Sequence, residues 1–214
     1  MYRCHIQRDF ASLEFSRWFK DKGDETLRLN YPLTPASVVF DLGGYHGDFA
    51  AVINKRYGSS VFVFEPVLEF YKLCVARFDG NKKIICLNYG LSSADGWLNI
   101  GLAENASSLV SPHAHGEIQQ VQIRSVVDCI RELNIDQIDL MKINIEGGEF
   151  DVVPAIIESG DIKKVLNLQV QFHDFVDNAV QQRAEIRIQL SKTHVEMWNY
   201  DFVWESWKLK AVTN

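Results

Sequence analysis

Short apolar runs alternate along this chain with stretches whose apolar residues recur at helical spacing. Val38 to Leu42 reads as a buried strand, and the stretch from Asp48 to about Tyr57 as a helix that Gly58 would cap. Val61 to Glu65 is a second strand, stopped by Pro66, which forces Glu65 to stay extended. Leu68 to Phe78 reads as a second helix, and Ile84 to Asn88 as a third strand after the turn Asp79-Gly80-Asn81. Ile138 to Glu146 is the fourth strand. The helix that follows ends at Glu158, and Pro154 suggests that it starts later than Glu149. Val165 to His173 is the fifth strand, and Asn178 to His194 a long helix with Asn178 as N-cap. Met197 to Trp204 and Ser206 to Val212 close the pattern as an antiparallel hairpin, with Trp204 and Trp207 expected to close the sheet. Such alternation predicts an α/β fold, a mainly parallel sheet with helices on both faces.

Between the third and fourth strands the pattern weakens. Trp97 to Ile100 and Ile118 to Ile123 suggest short strands. Ala106 to Gly116 reads as a loop lying over a site, and Ser125 with Asp128 as the N-terminus of a short helix. Ile6, Phe10, Leu13, Trp18 and Phe19 mark an N-terminal amphipathic helix, followed by a polar loop from Asp21 to Pro35. Residues 1–36 are expected to pack on a core formed by residues 37–214, giving one globular domain.

Composition narrows the classes. The 214 residues are 47% hydrophobic and 23% charged, ordinary for a globular domain. A formal charge of −6 without a Lys/Arg cluster argues against a nucleic-acid partner. No apolar run is long enough to span a membrane, and the N-terminus lacks a signal-peptide core. Cys4, Cys74, Cys86 and Cys129 are scattered, as for free thiols in a reducing cytoplasm. His113 and His115 have no evident third partner, so no metal is expected.

The first strand runs into Asp41-Leu-Gly43-Gly44-Tyr-His-Gly47. Glycines here let the chain turn sharply and let a ligand approach the backbone, with the N–H groups of the next helix facing it. Glu65, 24 residues beyond Asp41, ends the next strand, where an acid can accept hydrogen bonds from ribose hydroxyls. The spacing departs from Gly-x-Gly-x-x-Gly. A carboxylate at Asp41 would repel a pyrophosphate but suit an α-amino group, which selects S-adenosylmethionine over NAD or FAD.

Alternation along the fourth strand puts Lys142, Asn144 and Glu146 on one face, and along the fifth Gln169, Gln171 and His173. Strands covered on both sides should be nearly all apolar. Polar faces at the C-terminal ends of two such strands therefore predict an active-site wall, with Lys142 paired to Glu146.

Four stretches in order, Phe40-Asp-Leu-Gly-Gly-Tyr-His-Gly-Asp48, Val63-Phe-Glu-Pro66, Asn88-Tyr-Gly-Leu-Ser92 and Leu140-Met-Lys-Ile-Asn-Ile-Glu-Gly-Gly-Glu-Phe150, resemble the FkbM family of S-adenosylmethionine-dependent methyltransferases. The resemblance implies a class I methyltransferase (Rossmann-like) fold, whose seven-stranded sheet is mainly parallel with an antiparallel last strand. It implies O-methylation of a hydroxyl on a sugar, polysaccharide precursor or secondary metabolite. It places Asp41, Gly43, Gly44, Gly47 and Glu65 at the cofactor, and Asn88 near its adenine. Three departures stand out. Gly44-Tyr45 replaces Ala-Asn, Asn144 replaces an Asp, and Gln171 replaces an acid common on the fifth strand. An amide takes no proton at neutral pH, so Asn144 can orient an acceptor hydroxyl but cannot deprotonate it.

His173 is the first candidate for the base and Glu146 the second. Other readings stay open: an NAD-linked sugar-nucleotide enzyme, a non-catalytic member that binds cofactor or glycan, and an amine in place of the hydroxyl acceptor. The sequence identifies neither the acceptor nor the oligomeric state.

Overall fold

The computed structural model describes residues 13–103, 106–108 and 118–211. In chain order the first half gives β1 (Val38–Leu42), α1 (Asp48–Tyr57), β2 (Ser60–Phe64), α2 (Leu68–Arg77) and β3 (Ile84–Leu87). Next come β4 (Gly90–Ser92), β5 (Gly96–Ala103), β6 (Ala106–Ser108), β7 (Ile118–Ser125) and α3 (Val126–Glu132). The last part holds β8 (Leu140–Ile143), α4 (Glu149–Glu158), β9 (Asn167–Val170), α5 (Ala179–Thr193), β10 (His194–Tyr200) and β11 (Trp204–Leu209).

Seven strands form the main sheet in the order β10-β11-β9-β8-β1-β2-β3. Pairings among β9, β8, β1, β2 and β3 are parallel, while β11 runs against both of its neighbours. The expected class I methyltransferase sheet, with an antiparallel last strand, is the one observed. Alternation along β1 splits the core. Phe40 and Leu42 pack with Met141, Ile143 and residues of α3, α4 and α5 on one face. Val39 packs with Val61, Val63 and Ile53 of α1 on the other. Trp204 and Trp207 are both buried on β11, which lies between the edge strand β10 and β9.

Five features differ from what the sequence predicts. The weakly patterned middle is a second sheet, β4-β7-β5-β6. Ala106–Ser108 is a strand of it, and the rest of the expected loop, with His113 and His115, lies outside the described residues. The helix α4 starts at Glu149 despite Pro154, its sixth residue. Pro154 removes one backbone bond, but the helix is anchored by five buried residues. Strands β8 and β9 stop at Ile143 and Val170, so Glu146 and His173 stand on the loops beyond them. Of the N-terminal aromatics, Trp18 is buried against Tyr200, with ring centroids 5.1 Å apart, whereas Phe19 is exposed. Ile6 and Phe10 lie outside the described residues.

Candidate active site

The site lies where β1, β2 and β8 end, between the main sheet and the second sheet. Gly43 and Gly44 both donate their backbone N–H to the carbonyl of Phe64 (3.0 and 3.3 Å), which fastens the turn to β2. Gly43 has a φ of +80°, and a Cβ there would lie 1.9 Å from the Asn144 carbonyl oxygen. Only glycine fits this contact, and it brings the end of β8 against the turn. Tyr45 also adopts a positive φ (+49°), and its N–H donates to Glu65 Oε2 at 2.7 Å. Glu65 Oε1 accepts from the Val67 N–H at 2.9 Å. Each carboxylate oxygen of Glu65 is thus fixed and keeps a further lone pair. Burial pushes the Glu65 carboxyl up to about 7, against the downward pull of those two N–H groups. Gly47, also left-handed, sits at the N-cap of α1.

Asp41 is fully buried behind the turn, and its Oδ1 accepts from Lys142 Nζ at 2.9 Å. The same ammonium donates to the carbonyls of Leu42 (3.2 Å) and Gly43 (2.8 Å). Lys142 therefore pairs with Asp41 rather than with Glu146. The reason is register: Asp41 and Lys142 are opposed residues of adjacent parallel strands, whereas Glu146 has left the strand. Asn88 donates its side-chain N–H to the carbonyls of Glu65 (3.0 Å) and Pro66 (3.2 Å) and so braces the bend that carries Glu65.

A cleft opens in front of the turn. Gly43, Tyr45, Glu65, Asn144, Glu146 and Asp151 line its polar side. Val67 and Phe70 after β2, and Leu98, Ile100 and Ile123 of the second sheet, line its apolar side. Asn144 Oδ1 is buried there with no hydrogen-bond partner.

Glu146 sits in the turn after β8 with a φ of +52°, followed by Gly147 at +107°. A left-handed conformation at a glutamate costs energy and persists only where its surroundings hold it. Glu149 holds it. This carboxylate is fully buried and accepts from the N–H groups of Ile145 (3.0 Å) and Gly147 (2.8 Å). It also takes His173 Nδ1 at 2.9 Å, and His173 Nε2 then faces Glu146 Oε2 at 3.5 Å. Burial alone would lower the imidazole pKa, but the bonds to Glu146 and Glu149 and their charges outweigh it and raise it to about 9. Histidine 173 is thus an imidazolium at neutral pH, set behind Glu146 rather than on the cleft wall.

Structure therefore sorts the residues singled out in the sequence. Gly43, Glu65, Asn144 and Glu146 line one cleft; Asp41, Gly44, Gly47, Asn88 and His173 stand behind it. The expected polar wall on β9 divides. Gln169 belongs to a buried network with the Tyr31 hydroxyl (3.1 Å), which in turn lies 3.0 Å from Ser206 Oγ, and none of the three lines the cleft. Sequence reasoning missed Glu149. Its signal was an acid directly after Gly147-Gly148 at a helix start, a position that attracts carboxylates through the orphan N–H groups there. Among the described residues no cluster of His, Cys, Asp or Glu has a metal-binding arrangement, and Cys74, Cys86 and Cys129 are free.

A structure described as a methyltransferase from Streptococcus mutans in complex with S-adenosylhomocysteine is 9% identical, with a TM-score of 0.52 over 83% of this chain and 91% of that one. An rRNA methylase from Streptococcus thermophilus is 13% identical, with a TM-score of 0.50 over 83% and 89%. At these identities the likeness is one of fold. Among curated proteins, the AMB antimetabolite synthetase AmbE of Pseudomonas aeruginosa is 25% identical over 119 residues, 56% of this chain. The chain spans only 6% of that protein's length. Residues 41–207 match the methyltransferase FkbM domain, from Asp41 beneath the glycine turn to Trp207 of the closing strand, and the chain belongs to that family.

Proposed function

We propose that this protein transfers a methyl group from S-adenosylmethionine to a hydroxyl of a small acceptor, a sugar, polysaccharide precursor or secondary metabolite. The residues present fit the cofactor. The Gly43 backbone leaves no side chain between turn and cleft, Glu65 keeps lone pairs for two ribose hydroxyls, and Asn144 offers an unused acceptor. When bound, S-adenosylmethionine supplies a methyl group made electrophilic by its sulfonium.

The observation that carries the hydroxyl reading is the placement of Glu146. It is a carboxylate on the cleft wall, in a strained conformation, backed by a protonated His173 that Glu149 fixes in turn. A carboxylate so placed accepts the proton of an acceptor hydroxyl as the oxygen is methylated. His173 already carries both ring protons at neutral pH, so its part is to position Glu146 and to stabilise its charge. Glu146 therefore takes the first place among the candidate bases, ahead of His173.

A small acceptor is supported by the net charge of −6 and by Glu146 and Asp151 at the cleft, both unfavourable to a polyanion. A secondary metabolite is in keeping with the AmbE relative, which is an antimetabolite synthetase. A reducing, cytoplasmic setting suits the free thiols. The test is incubation with isotopically labelled S-adenosylmethionine and separate panels of hydroxylated metabolites, glycans, amines and RNA. Label on hydroxyl oxygen, lost in Glu146→Gln while S-adenosylhomocysteine still binds, is the expected result. Label on RNA would overturn the acceptor class. Near-normal turnover of Glu146→Gln would overturn the assignment of the base.

A further inference from the structure

We infer that the carboxamide oxygen of Asn144, and not the carboxylate of Asp41, is the group that recognises the cationic amine of the cofactor's amino-acid portion. The inference rests on the S-adenosylmethionine reading above.

Sequence reasoning assigned the amine to Asp41 because a carboxylate before a glycine turn suits a cation. Two observations weigh against that option. Asp41 is wholly buried and is not on the cleft wall. Its charge is already matched by Lys142, which sits 2.9 Å from Oδ1. Asp41 Oδ2 is also without a partner; what separates the two residues is that Asp41 is wholly buried and absent from the cleft lining, whereas Asn144 is half-buried and part of it. The carbonyl of Gly43, a natural backbone acceptor at such a turn, takes one of the Lys142 N–H groups at 2.8 Å.

Asn144 has the complementary properties. It lines the cleft, and its backbone carbonyl lies directly against Gly43, so its side chain starts beside the turn. Its Oδ1 is a buried acceptor with no donor. Buried acceptors are nearly always satisfied, and one that is not is a place where a donor is missing. An ammonium is a donor only, with three N–H groups to distribute. A neutral amide accepts from it without adding another negative charge beside Asp41, Glu65, Glu146 and Asp151. Lys142, two residues earlier, is committed to Asp41 and leaves the Asn144 oxygen unanswered.

The experiment is calorimetry with two probes, S-adenosylhomocysteine and methylthioadenosine. The second keeps the nucleoside and sulfur but lacks the amine and carboxylate. Asn144→Ser is expected to weaken S-adenosylhomocysteine about tenfold, the scale of one charge-assisted hydrogen bond, and to leave methylthioadenosine unchanged. Asn144→Asp is expected to keep the preference for S-adenosylhomocysteine. Asp41→Asn is expected to leave the ratio of the two affinities unaltered, since it acts through the turn that both probes use. An unaltered ratio in Asn144→Ser, or a ratio that collapses in Asp41→Asn, overturns the assignment while leaving the cofactor in place. Failure of the unsubstituted protein to bind S-adenosylhomocysteine overturns the cofactor reading, and this assignment with it.

Discussion

The ammonium of Lys142 lies 2.9 Å from Asp41 Oδ1 between two central strands, with both side chains almost wholly out of water. Its remaining N–H groups go to the carbonyls of Leu42 and Gly43. One buried cation thus fixes the acid, the strand end and the first residue of the glycine turn. Lys142→Met would leave a carboxylate buried without a counter-charge, a loss on the order of 3–5 kcal/mol. Denaturant unfolding of Lys142→Met and of the double variant with Asp41→Leu measures it. The double variant is expected to recover part of the loss, because the unpaired charge is gone.

Gly43→Ala is expected to be far worse than an ordinary glycine replacement. The new methyl would overlap the Asn144 carbonyl, and the backbone φ of +80° disfavours any side chain. The turn must open or β8 must withdraw. The expected outcome is loss of S-adenosylhomocysteine binding by calorimetry together with a lowered melting temperature. Gly80→Ala is the control: it shares the positive φ but has nothing within contact distance of the added Cβ.

Glu65 should make cofactor binding pH-dependent. Burial raises its carboxyl to about 7, so acidification converts it to a neutral acid within the physiological range. A protonated carboxyl has fewer lone pairs to offer ribose hydroxyls. S-adenosylhomocysteine affinity is expected to fall about tenfold from roughly pH 8 to pH 6, following the ionised fraction. In Glu65→Gln the affinity should be lower throughout and the slope absent. A wild-type profile that is flat over this range would sink the idea.

His173 should make stability pH-dependent in the opposite sense. Its folded-state pKa, about 9, is above its ordinary value of 6.5. The folded protein therefore binds the proton more tightly, and the contribution is fully present below 6.5. It is lost as pH rises through about 9, on the order of 3 kcal/mol in all. Unfolding free energies measured across this window should decline in the unsubstituted protein and stay nearly level in His173→Gln. Direct titration of the imidazole by NMR locates the midpoint, and Glu149→Gln should move it downward.

Local rules made most of the scaffold legible. The apolar runs at Val38–Leu42 and Val61–Phe64, Gly58 at a helix end, and Ser125 bonded to the Asp128 N–H at 3.2 Å each follow from short-range sterics and hydrogen bonding. The glycine turn and Glu65 were legible for the same reason, since backbone freedom and a strand-end acid are properties of a few adjacent residues. Residue identity also settled that Asn144 could not be a base.

Which charges face each other was decided by tertiary structure. Lys142 meets Asp41 because strand register sets them side by side, 101 residues apart in the chain. The middle of the chain resisted reading because β4 and β6 have only three residues each, and β5 and β7, eight residues each, pair in a sheet of their own rather than in the main one. Glu149 looked like an ordinary first-turn acid until folding buried it and brought His173 to it from another strand end. Short-range preferences in the sequence determined the strands of the main sheet and the glycine turn after β1. Only the packing of distant strand ends determined that Glu146 faces the cleft, that His173 stands behind it, and that Asn144 keeps an unanswered oxygen beside the turn.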